Sequence, residues 1–311
     1  MKVIENLYFF LKAARFWKNI PLVLTFLSGF FINFKNVQFN IGILLVAFIA
    51  ILISSFFMTH INVITDYELD KDSKPEFFNF LNINYKFSIK LIWLELVIVL
   101  VLLCFLIIKS YYFTALSIFI FIAIATLYSY NFLLGFSVFS LKYRLKVFWW
   151  GHFVVLIIGY MSLWFAGFYL FGSSLDNQFW LWFISFLLFS ISEYSLFLIE
   201  SSIDVKEEIK LNLKSLNAIL GTKKTNIIAI LLNVISIFGI VLIVNVYNFQ
   251  SQILYFAILP MMIVRLCFEL FMLNKNNMQL RHKYLRTIPD ILFNFTRLYI
   301  LIVIIIVNFL L

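Results

Sequence analysis

Long apolar runs and short polar segments alternate along the whole chain. Most of the runs hold about 20 consecutive apolar residues, the length that an α-helix needs to cross the hydrocarbon core of a bilayer. Within each run the apolar residues are continuous and do not alternate with polar ones, so the pattern favours helices over the strands of a membrane barrel. The sequence therefore predicts nine transmembrane helices, near residues 18–34, 41–65, 88–108, 111–131, 147–171, 179–203, 226–246, 252–272 and 290–311.

The composition agrees with this pattern. Of the 311 residues, 64% are hydrophobic and 13% are charged, and the mean hydropathy is +1.02. The segments between the runs are too short for a separate soluble domain, so we expect a single all-α membrane domain over residues 1–311. Residues 1–17 mix basic and apolar residues at roughly helical spacing and lack a small-residue cleavage site. This pattern predicts an interfacial amphipathic segment and not a signal peptide.

The basic residues collect in alternate polar segments. With nine spans, 20 of the 24 Lys and Arg residues fall in the N-terminal segment or in the loops that follow spans 2, 4, 6 and 8. The opposite loops carry Lys35 and Lys109. Because positively charged loops stay on the cytoplasmic side, we expect the N-terminus and these loops in the cytoplasm and the C-terminus on the opposite side. Topology and contact with anionic lipids explain most of these lysines.

Two triplets of acidic or amide side chains stand at i, i+4 and i+8 where spans 2 and 6 end: Asn62, Asp66 and Asp70, and Glu200, Asp204 and Glu208. On a helix, each triplet lines one face. A single carboxylate at the end of a span needs no functional explanation, because water at the membrane interface solvates it. Like charges one turn apart repel, however, and Mg²⁺, which takes oxygen ligands together with substrate phosphates, neutralises them. Two such clusters facing each other can hold two Mg²⁺ ions with a diphosphate between them.

At these triplets the sequence resembles the UbiA superfamily of intramembrane prenyltransferases. The segment "NVITDYELD", from Asn62, is similar to the family's first aspartate-rich motif, and "ESSIDVKEE", from Glu200, to its second. "ARFWKNIPLVL" at the entry to span 1 and Tyr128-Ser129 at the end of span 4 resemble further family segments. The resemblance covers essentially the whole chain. It implies nine helices around a central cavity that opens at the cytoplasmic side.

The resemblance also implies a reaction and a set of site residues. The reaction is Mg²⁺-dependent transfer of a prenyl group from a prenyl diphosphate to an acceptor. The catalytic candidates, which would hold two Mg²⁺ ions between them, are Asp66, Asp70, Asp204 and Glu208. Asn62 and Glu200 would complete the two metal sites. The candidate contacts to the diphosphate are Lys71, Lys142, Lys210 and Lys214. The positive-inside rule alone would also explain each of these lysines. Tyr128 and Glu193 are expected near the cavity.

The sequence departs from the family pattern in both motifs. Val63 stands where the family has an aspartate, and Glu200 and Glu208 replace aspartates. "KPEFFNF" stands where the family often has Arg-Pro. These departures leave open a catalytically degenerate family member.

Several polar residues lie inside or near the ends of the predicted spans. The charged ones within spans are Glu95, Glu193, Arg265, Glu269 and Arg297. Such residues face the bundle interior and pair with one another. Arg265 and Glu269 are one turn apart, which predicts a local ion pair. His60 and His152 have no second ligand at metal spacing, and we interpret both as hydrogen-bonded structural residues.

Four functions are open from the sequence. The first is a prenyltransferase for a small or lipid-soluble acceptor, with an aromatic quinone precursor preferred. An intramembrane terpene cyclase of the same fold and a degenerate family member are the second and third. The fourth is a transporter that uses Glu95, Glu193 and Glu269 as an ion path, although 9 Gly and 4 Pro argue against the broken helices of transporters. The chain shows no nucleophile motif, phosphate-binding glycine loop or nucleic-acid-binding pattern. The acceptor, the prenyl length and the oligomeric state are not determined by the sequence.

Overall fold

The helices account for most of the chain that the structure describes. The computed structural model describes residues 16–32, 40–65, 75–129, 148–171, 177–210, 214–246, 257–273 and 278–310. In chain order the helices are α1 (Phe16–Ile32), α2 (Ile41–Thr65), α3 (Pro75–Ile108), α4 (Tyr112–Ser129), α5 (Gly151–Phe168), α6 (Asn177–Glu200), α7 (Val205–Lys210), α8 (Leu216–Leu220), α9 (Thr222–Val246), α10 (Leu259–Leu273) and α11 (Met278–Leu310). A 3₁₀ turn, Ser201–Ile203, joins α6 to α7. The predicted amphipathic segment lies outside the described residues, apart from its last two positions.

Among the described residues, six helices are long and apolar enough to cross a bilayer: Ile41–Val63, Ile89–Ile108, Gly151–Phe168, Phe179–Ile203, Thr222–Asn245 and Thr287–Val307. Two further apolar helices, Asn19–Ile32 and Tyr112–Tyr128, are shorter. The all-helical membrane architecture is therefore confirmed, whereas the count of nine spans and the side to which the bundle opens stay predictions. The helix that carries the predicted span 88–108, α3, begins earlier in the chain, at Pro75, and its membrane-length apolar part is Ile89–Ile108. Proline suits the first helical position, where its missing N–H has no partner to lose.

Two glycines allow α1 and α5 to cross closely. A β-carbon on Gly29 would collide with the carbonyl oxygen of Trp164, and a β-carbon on Gly167 would collide with the carbonyl oxygen of Phe26. Each glycine thus accommodates the backbone of the other helix, the small-residue contact that brings membrane helices together. Both helices also line the cavity described below.

The buried apolar side chains form two main cores that share α1 and α5. One core is formed by the five helices α1, α2, α3, α4 and α5 and includes the buried rings of Phe26 and Phe57. The other joins α5, α6, α9, α10 and α11 around Trp164, and Ile32 of α1 also belongs to it. The Trp164 ring stacks on Phe168 at 4.9 Å and on Phe186 at 5.1 Å between ring centres. The shared helices therefore tie the two halves of the bundle together.

Candidate active site

A cavity of about 250 Å³ lies where the two motif-bearing helices end. Six helices supply the described residues that line it: Asn19, Pro21, Met58, Thr59, Asn62, Tyr128, His152, Val155, Leu156, Tyr160, Phe197, Glu200, Asp290, Phe293 and Asn294. Three of them, Asn62, Tyr128 and Glu200, belong to the residues singled out from the sequence. The ends of α2 and α6 thus meet at one cavity.

The α2 side of the cavity is fixed by a hydrogen bond to α1. The hydroxyl of Thr59 lies 2.9 Å from the side-chain oxygen of Asn19, to which it donates, and both residues are buried. Asn62 follows on the next turn of α2 and lines the cavity. Asp66 and Asp70 continue the chain from this point, but they lie outside the described residues. The Thr59–Asn19 bond therefore sets the position from which the first motif leaves α2.

The second motif does not form one continuous helical face, which corrects the expectation for Glu200, Asp204 and Glu208. Helix α6 ends at Glu200, and a 3₁₀ turn precedes Asp204. The side-chain amide of Asn217, on α8, donates to the carbonyl oxygen of Leu198 at 2.9 Å, a group that a continuing α-helix would have bonded itself. The tighter 3₁₀ geometry rotates the residues beyond Glu200 away from its face.

The three acids of this motif consequently have different surroundings. Glu200 is half-buried and lines the cavity, and Asp204 is exposed. Glu208 is buried and accepts a 2.5 Å hydrogen bond from the hydroxyl of Ser215. Ser215 is also the N-cap of α8, where its oxygen accepts from the backbone N–H of Ala218. The second motif is thus packed against the segment that follows it in the chain.

The candidate diphosphate lysines divide into two groups. Lys210 and Lys214 are exposed and are not among the described residues that line the cavity. Lys214 forms the isolated β-bridge with Phe148, which places it beside the entry to α5. Lys71 and Lys142 lie outside the described residues.

Aromatic side chains form much of the cavity wall. The ring of His152 stacks on Phe197 at 4.7 Å between centres and meets the edge of Tyr128 at 5.1 Å. His152 was predicted to be structural, but it lines the cavity. Its spacing of four and eight residues from Leu156 and Tyr160 was the signal that these side chains share one face of α5.

Oxygen atoms from opposite sides of the cavity are suited to a metal ion. Within the described ranges, no group of three or more His, Cys, Asp and Glu side chains is placed to hold one. Asn62 and Glu200 nevertheless present amide and carboxylate oxygens to the same space. Such oxygens are the ligands that Mg²⁺ takes, usually only one or two carboxylates with water and phosphate. The donors present therefore fit Mg²⁺, with Asp66 and Asp70 as the further donors that the sequence predicts.

Comparison with protein families identifies this fold. A family model of the UbiA prenyltransferase family matches residues 22–296, which include both motifs and the whole cavity except Asn19 and Pro21. The chain belongs to the UbiA prenyltransferase family. No curated protein sequence matches it. With six membrane-length apolar helices in the part of the chain that the structure describes, this UbiA family member is an integral, multi-pass membrane protein.

Solved structures share its fold. A UbiA homologue from Archaeoglobus fulgidus bound to GPP and Mg²⁺ is 14% identical, with a TM-score of 0.65 over 94% of this chain and 99% of the homologue. The homologue bound to DMAPP and Mg²⁺ is 13% identical, with a TM-score of 0.65 over 94% and 98%. A structure of digeranylgeranylglyceryl phosphate synthase is 20% identical, with a TM-score of 0.63 over 97% and 99%.

A buried charged cluster lies behind the cavity wall of this UbiA family member. The carboxylate of Glu193 accepts hydrogen bonds from Arg265 at 2.7 Å and from Nε and Nη2 of Arg297, the Nε bond being 3.1 Å. Arg297 also donates to the hydroxyl of Thr25. The Arg297 guanidinium lies 4.0 Å from the centre of the Tyr160 ring, which lines the cavity. Glu193, expected near the cavity, is not among the described residues that line it, but its partner Arg297 packs against the Tyr160 ring of the wall.

This cluster corrects the predicted local pair between Arg265 and Glu269. Arg265 bonds to Glu193 on a neighbouring helix. Glu269 accepts hydrogen bonds from Ser195 at 2.6 Å and from Asn233 at 3.0 Å. Arg265 and Glu269 are thus each bonded to side chains of other helices and not to each other. A buried charge needs several hydrogen bonds, which a single neighbour one turn away cannot supply.

The remaining acid within a span, Glu95, has its own partner. The Nδ1 atom of His60 lies 3.0 Å from the carboxylate of Glu95, and both residues are buried. The interpretation of His60 as a hydrogen-bonded residue is thus confirmed. Glu95, Glu193 and Glu269 each lie in a separate hydrogen-bonded group, which favours structural roles over the ion path considered from the sequence.

Proposed function

We propose that this UbiA family member transfers a prenyl group from a prenyl diphosphate to a small or lipid-soluble acceptor in a Mg²⁺-dependent reaction. The observation that carries the proposal is the meeting of the two motif-bearing helix ends at one cavity, where Asn62 and Glu200 present oxygen donors. The relatives of the same fold that hold GPP or DMAPP with Mg²⁺ support it.

Asn62 and Glu200 are the described residues that would hold Mg²⁺, together with Asp66, Asp70, Asp204 and Glu208 of the two motifs. Bound Mg²⁺ would neutralise the negative charge that develops on the diphosphate as it leaves. The negative charge of the diphosphate would also be neutralised by the candidate lysines, Lys71, Lys142, Lys210 and Lys214. Asp204 is exposed and Glu208 is held by Ser215, so a ligand role for either requires that the α6–α7 segment adjust when the diphosphate binds.

The aromatic cavity wall is suited to stabilise the positive charge that develops on the transferred allylic carbon. The bond between the allylic carbon and the diphosphate oxygen breaks, and its electron pair leaves with the diphosphate. The acceptor then forms a bond to that carbon and loses a proton. The His152 ring contacts the rings of Tyr128 and Phe197 at the wall, and aromatic faces stabilise developing positive charge next to them.

The same wall suits a planar aromatic acceptor, such as a quinone precursor. A lateral groove of about 560 Å³ between α1 and α11 offers a route from the lipid, since it shares Asp290 and Asn294 with the cavity. Ile20 and Leu24 of α1 and Phe295 and Leu298 of α11 line the groove. A lipid-soluble molecule can therefore approach the polar cavity without crossing the cytoplasm. We place the cavity at the cytoplasmic side, as the charge distribution predicts.

The test is diphosphate release by purified protein supplied with prenyl diphosphate, Mg²⁺ and a panel of aromatic, sugar-phosphate and glycerol-phosphate acceptors. We expect release from the wild type and its loss in Asp66→Asn, Asp204→Asn and Glu200→Gln, all of which should insert into the membrane normally. Asp176→Asn is the matched control, because the sequence places Asp176 between spans 5 and 6, on the side opposite the motifs. Undiminished turnover in the three site variants would contradict the proposal. Prenyl products formed without an acceptor would instead indicate a cyclase.

A further inference from the structure

A second, smaller cavity extends from the candidate active site into the bundle. This distal pocket has a volume of about 100 Å³, and four of its lining residues, Met58, Val155, Leu156 and Tyr160, also line the main cavity. The five described residues that line the distal pocket alone are Leu22, Phe121, Ile124, Ala125 and Gly159. All five are apolar, so the main cavity, which Asn62 and Glu200 line, continues into a space whose own residues are hydrocarbon.

The distal pocket lies deeper along the helices than the polar side chains of the main cavity. Phe121 precedes Tyr128 by seven residues on α4, and Gly159 follows His152 by seven residues on α5, about two helical turns in each case. On α2, Met58 precedes Asn62 by one turn. The helices thus present polar groups at one level and mostly apolar groups below it, where Tyr160 also lines the distal pocket. A molecule with a charged head and a hydrocarbon tail matches this order.

Phe121 and Gly159 are neighbours in the lining of the distal pocket. A β-carbon on Gly159 would lie 3.8 and 3.9 Å from two atoms of the Phe121 ring. Phe121 is buried and has the largest side chain among the residues that line the distal pocket alone. Its ring is packed in the core formed by α1 to α5, so it cannot move aside without disturbing that core.

The volume of the distal pocket limits what it can hold. An apolar cavity of about 150 Å³ holds one benzene molecule. At about 100 Å³, the distal pocket has room for roughly one five-carbon isoprenoid unit. We propose, building on the prenyltransferase function above, that the distal pocket receives the hydrocarbon end of the donor and that Phe121 limits the length of the prenyl chain. The donors favoured are then five- and ten-carbon diphosphates over a twenty-carbon one.

The lateral groove is the competing location for the tail, and its walls differ. Phe295 and Leu298, which line it, are exposed on the outer surface of α11. A tail that left through the groove would enter the lipid, and chain length would then have little effect on binding. The distal pocket is lined by the buried side chains of Leu22, Phe121 and Ala125, and such a space discriminates by size.

The experiment measures binding and turnover for donors of three lengths. Non-hydrolysable thiolo-diphosphates with five-, ten- and twenty-carbon chains are tested with Mg²⁺ for thermal stabilisation of the purified protein, and products of the natural donors are measured by mass spectrometry. We expect the wild type to bind the twenty-carbon analogue at least about tenfold more weakly than the better of the two short ones, since a hydrophobic pocket discriminates that strongly against groups that do not fit.

Variants in the two apolar spaces separate the possibilities. Phe121→Ala, and the milder Phe121→Leu, should shift the preference towards longer chains. Gly159→Val should fill the distal pocket and shift the preference towards the five-carbon donor. Phe295→Ala, the matched change in the lateral groove, should leave the order of preference unchanged. Equal binding of all lengths by the wild type, or a shift in Phe295→Ala but not in the Phe121 variants, would overturn the inference. Failure of every analogue to stabilise the wild type would overturn the proposed function itself.

Discussion

Arg297 on α11 and Glu193 on α6 are 104 residues apart in sequence, yet they form a doubly hydrogen-bonded ion pair inside the bundle. Arg265 on α10 shares the same carboxylate, and Thr25 on α1 accepts a further bond from Arg297. One buried acid therefore connects four helices. The pair also places a guanidinium against the Tyr160 ring, so the charged cluster supports the cavity wall from behind.

Removing the acid of this cluster should destabilise the protein. In Glu193→Gln, two buried guanidinium groups lose their counter-charge, and breaking a buried ion pair from one side costs about 3–5 kcal/mol. We expect a clearly lower melting temperature in detergent. Glu200→Gln is the matched control, because Glu200 is half-buried at the cavity and its loss should affect turnover more than stability. Equal melting temperatures for Glu193→Gln and Glu200→Gln would show that the cluster does not stabilise the bundle.

The crossing of α1 and α5 should be intolerant of a single methyl group. In Gly167→Ala the new β-carbon meets the carbonyl oxygen of Phe26, a backbone atom that cannot rotate away. Overpacking of this kind costs about 1–3 kcal/mol, and more where backbone must shift. Gly159→Ala is the control on the same helix, since its β-carbon would lie 3.8 Å from the Phe121 ring, an ordinary contact. Thermal unfolding should rank Gly167→Ala below Gly159→Ala, and the reverse order would contradict the prediction.

The sequence was sufficient to predict the helices and the region of the site, because both depend on local patterns. Continuous apolar runs of membrane-spanning length specify helices without reference to tertiary contacts. Asn62 and Glu200 could be found because each belongs to a motif within one segment of chain. Two residues that the sequence did not reveal, Asp290 and Asn294, line the cavity from α11 without a recognisable motif. Asn19 lies in the segment "ARFWKNIPLVL", but the segment alone did not distinguish it as a cavity residue.

Two other features depended on tertiary structure and were not predicted correctly. Arg265 has an acid one turn away on its own helix, but its partner is Glu193, because the packing of α6 against α10 brings that carboxylate closer to its guanidinium. The second motif keeps the spacing of one helical face, yet α6 ends at Glu200 because Asn217 binds the carbonyl of Leu198. No local spacing rule reveals a partner that comes from another segment.

That hydrogen bond leads to a prediction about the second motif. Asn217→Ala removes the donor to Leu198 and to the Ser201 hydroxyl, 2.8 Å away. The Leu198 carbonyl keeps the bond from the Ser201 hydroxyl at 3.0 Å, so the cost is that of a lost buried hydrogen bond, about 0.5–1.5 kcal/mol. Since Glu200 lies between these two acceptors, we expect its carboxylate to be less well positioned. The Mg²⁺ concentration that gives half-maximal turnover should rise.

The control for Asn217→Ala is Thr225→Ala on α9. The hydroxyl of Thr225 donates to the carbonyl of Gly221, the residue that precedes α9, so its loss removes a partly buried hydrogen bond that does not involve α6. Turnover of Thr225→Ala should keep the Mg²⁺ dependence of the wild type. If both variants show the same Mg²⁺ dependence, Asn217 contributes to stability and not to the position of Glu200.

Metal removal tests the oxygen-donor site as a whole. Asn62 and Glu200 offer oxygen atoms from two helix ends, and the acids predicted beside them would be closely spaced carboxylates that need a small divalent cation between them. Chelation with EDTA should therefore abolish diphosphate release, and added Mg²⁺ should restore it. Ca²⁺ should restore little, because its longer bonds and higher coordination number do not hold a diphosphate in the same geometry. Glu200→Gln should not recover release at the Mg²⁺ concentration that restores the wild type, since an amide oxygen replaces a charged ligand. Turnover that is independent of Mg²⁺ would show that these oxygens do not form a metal site.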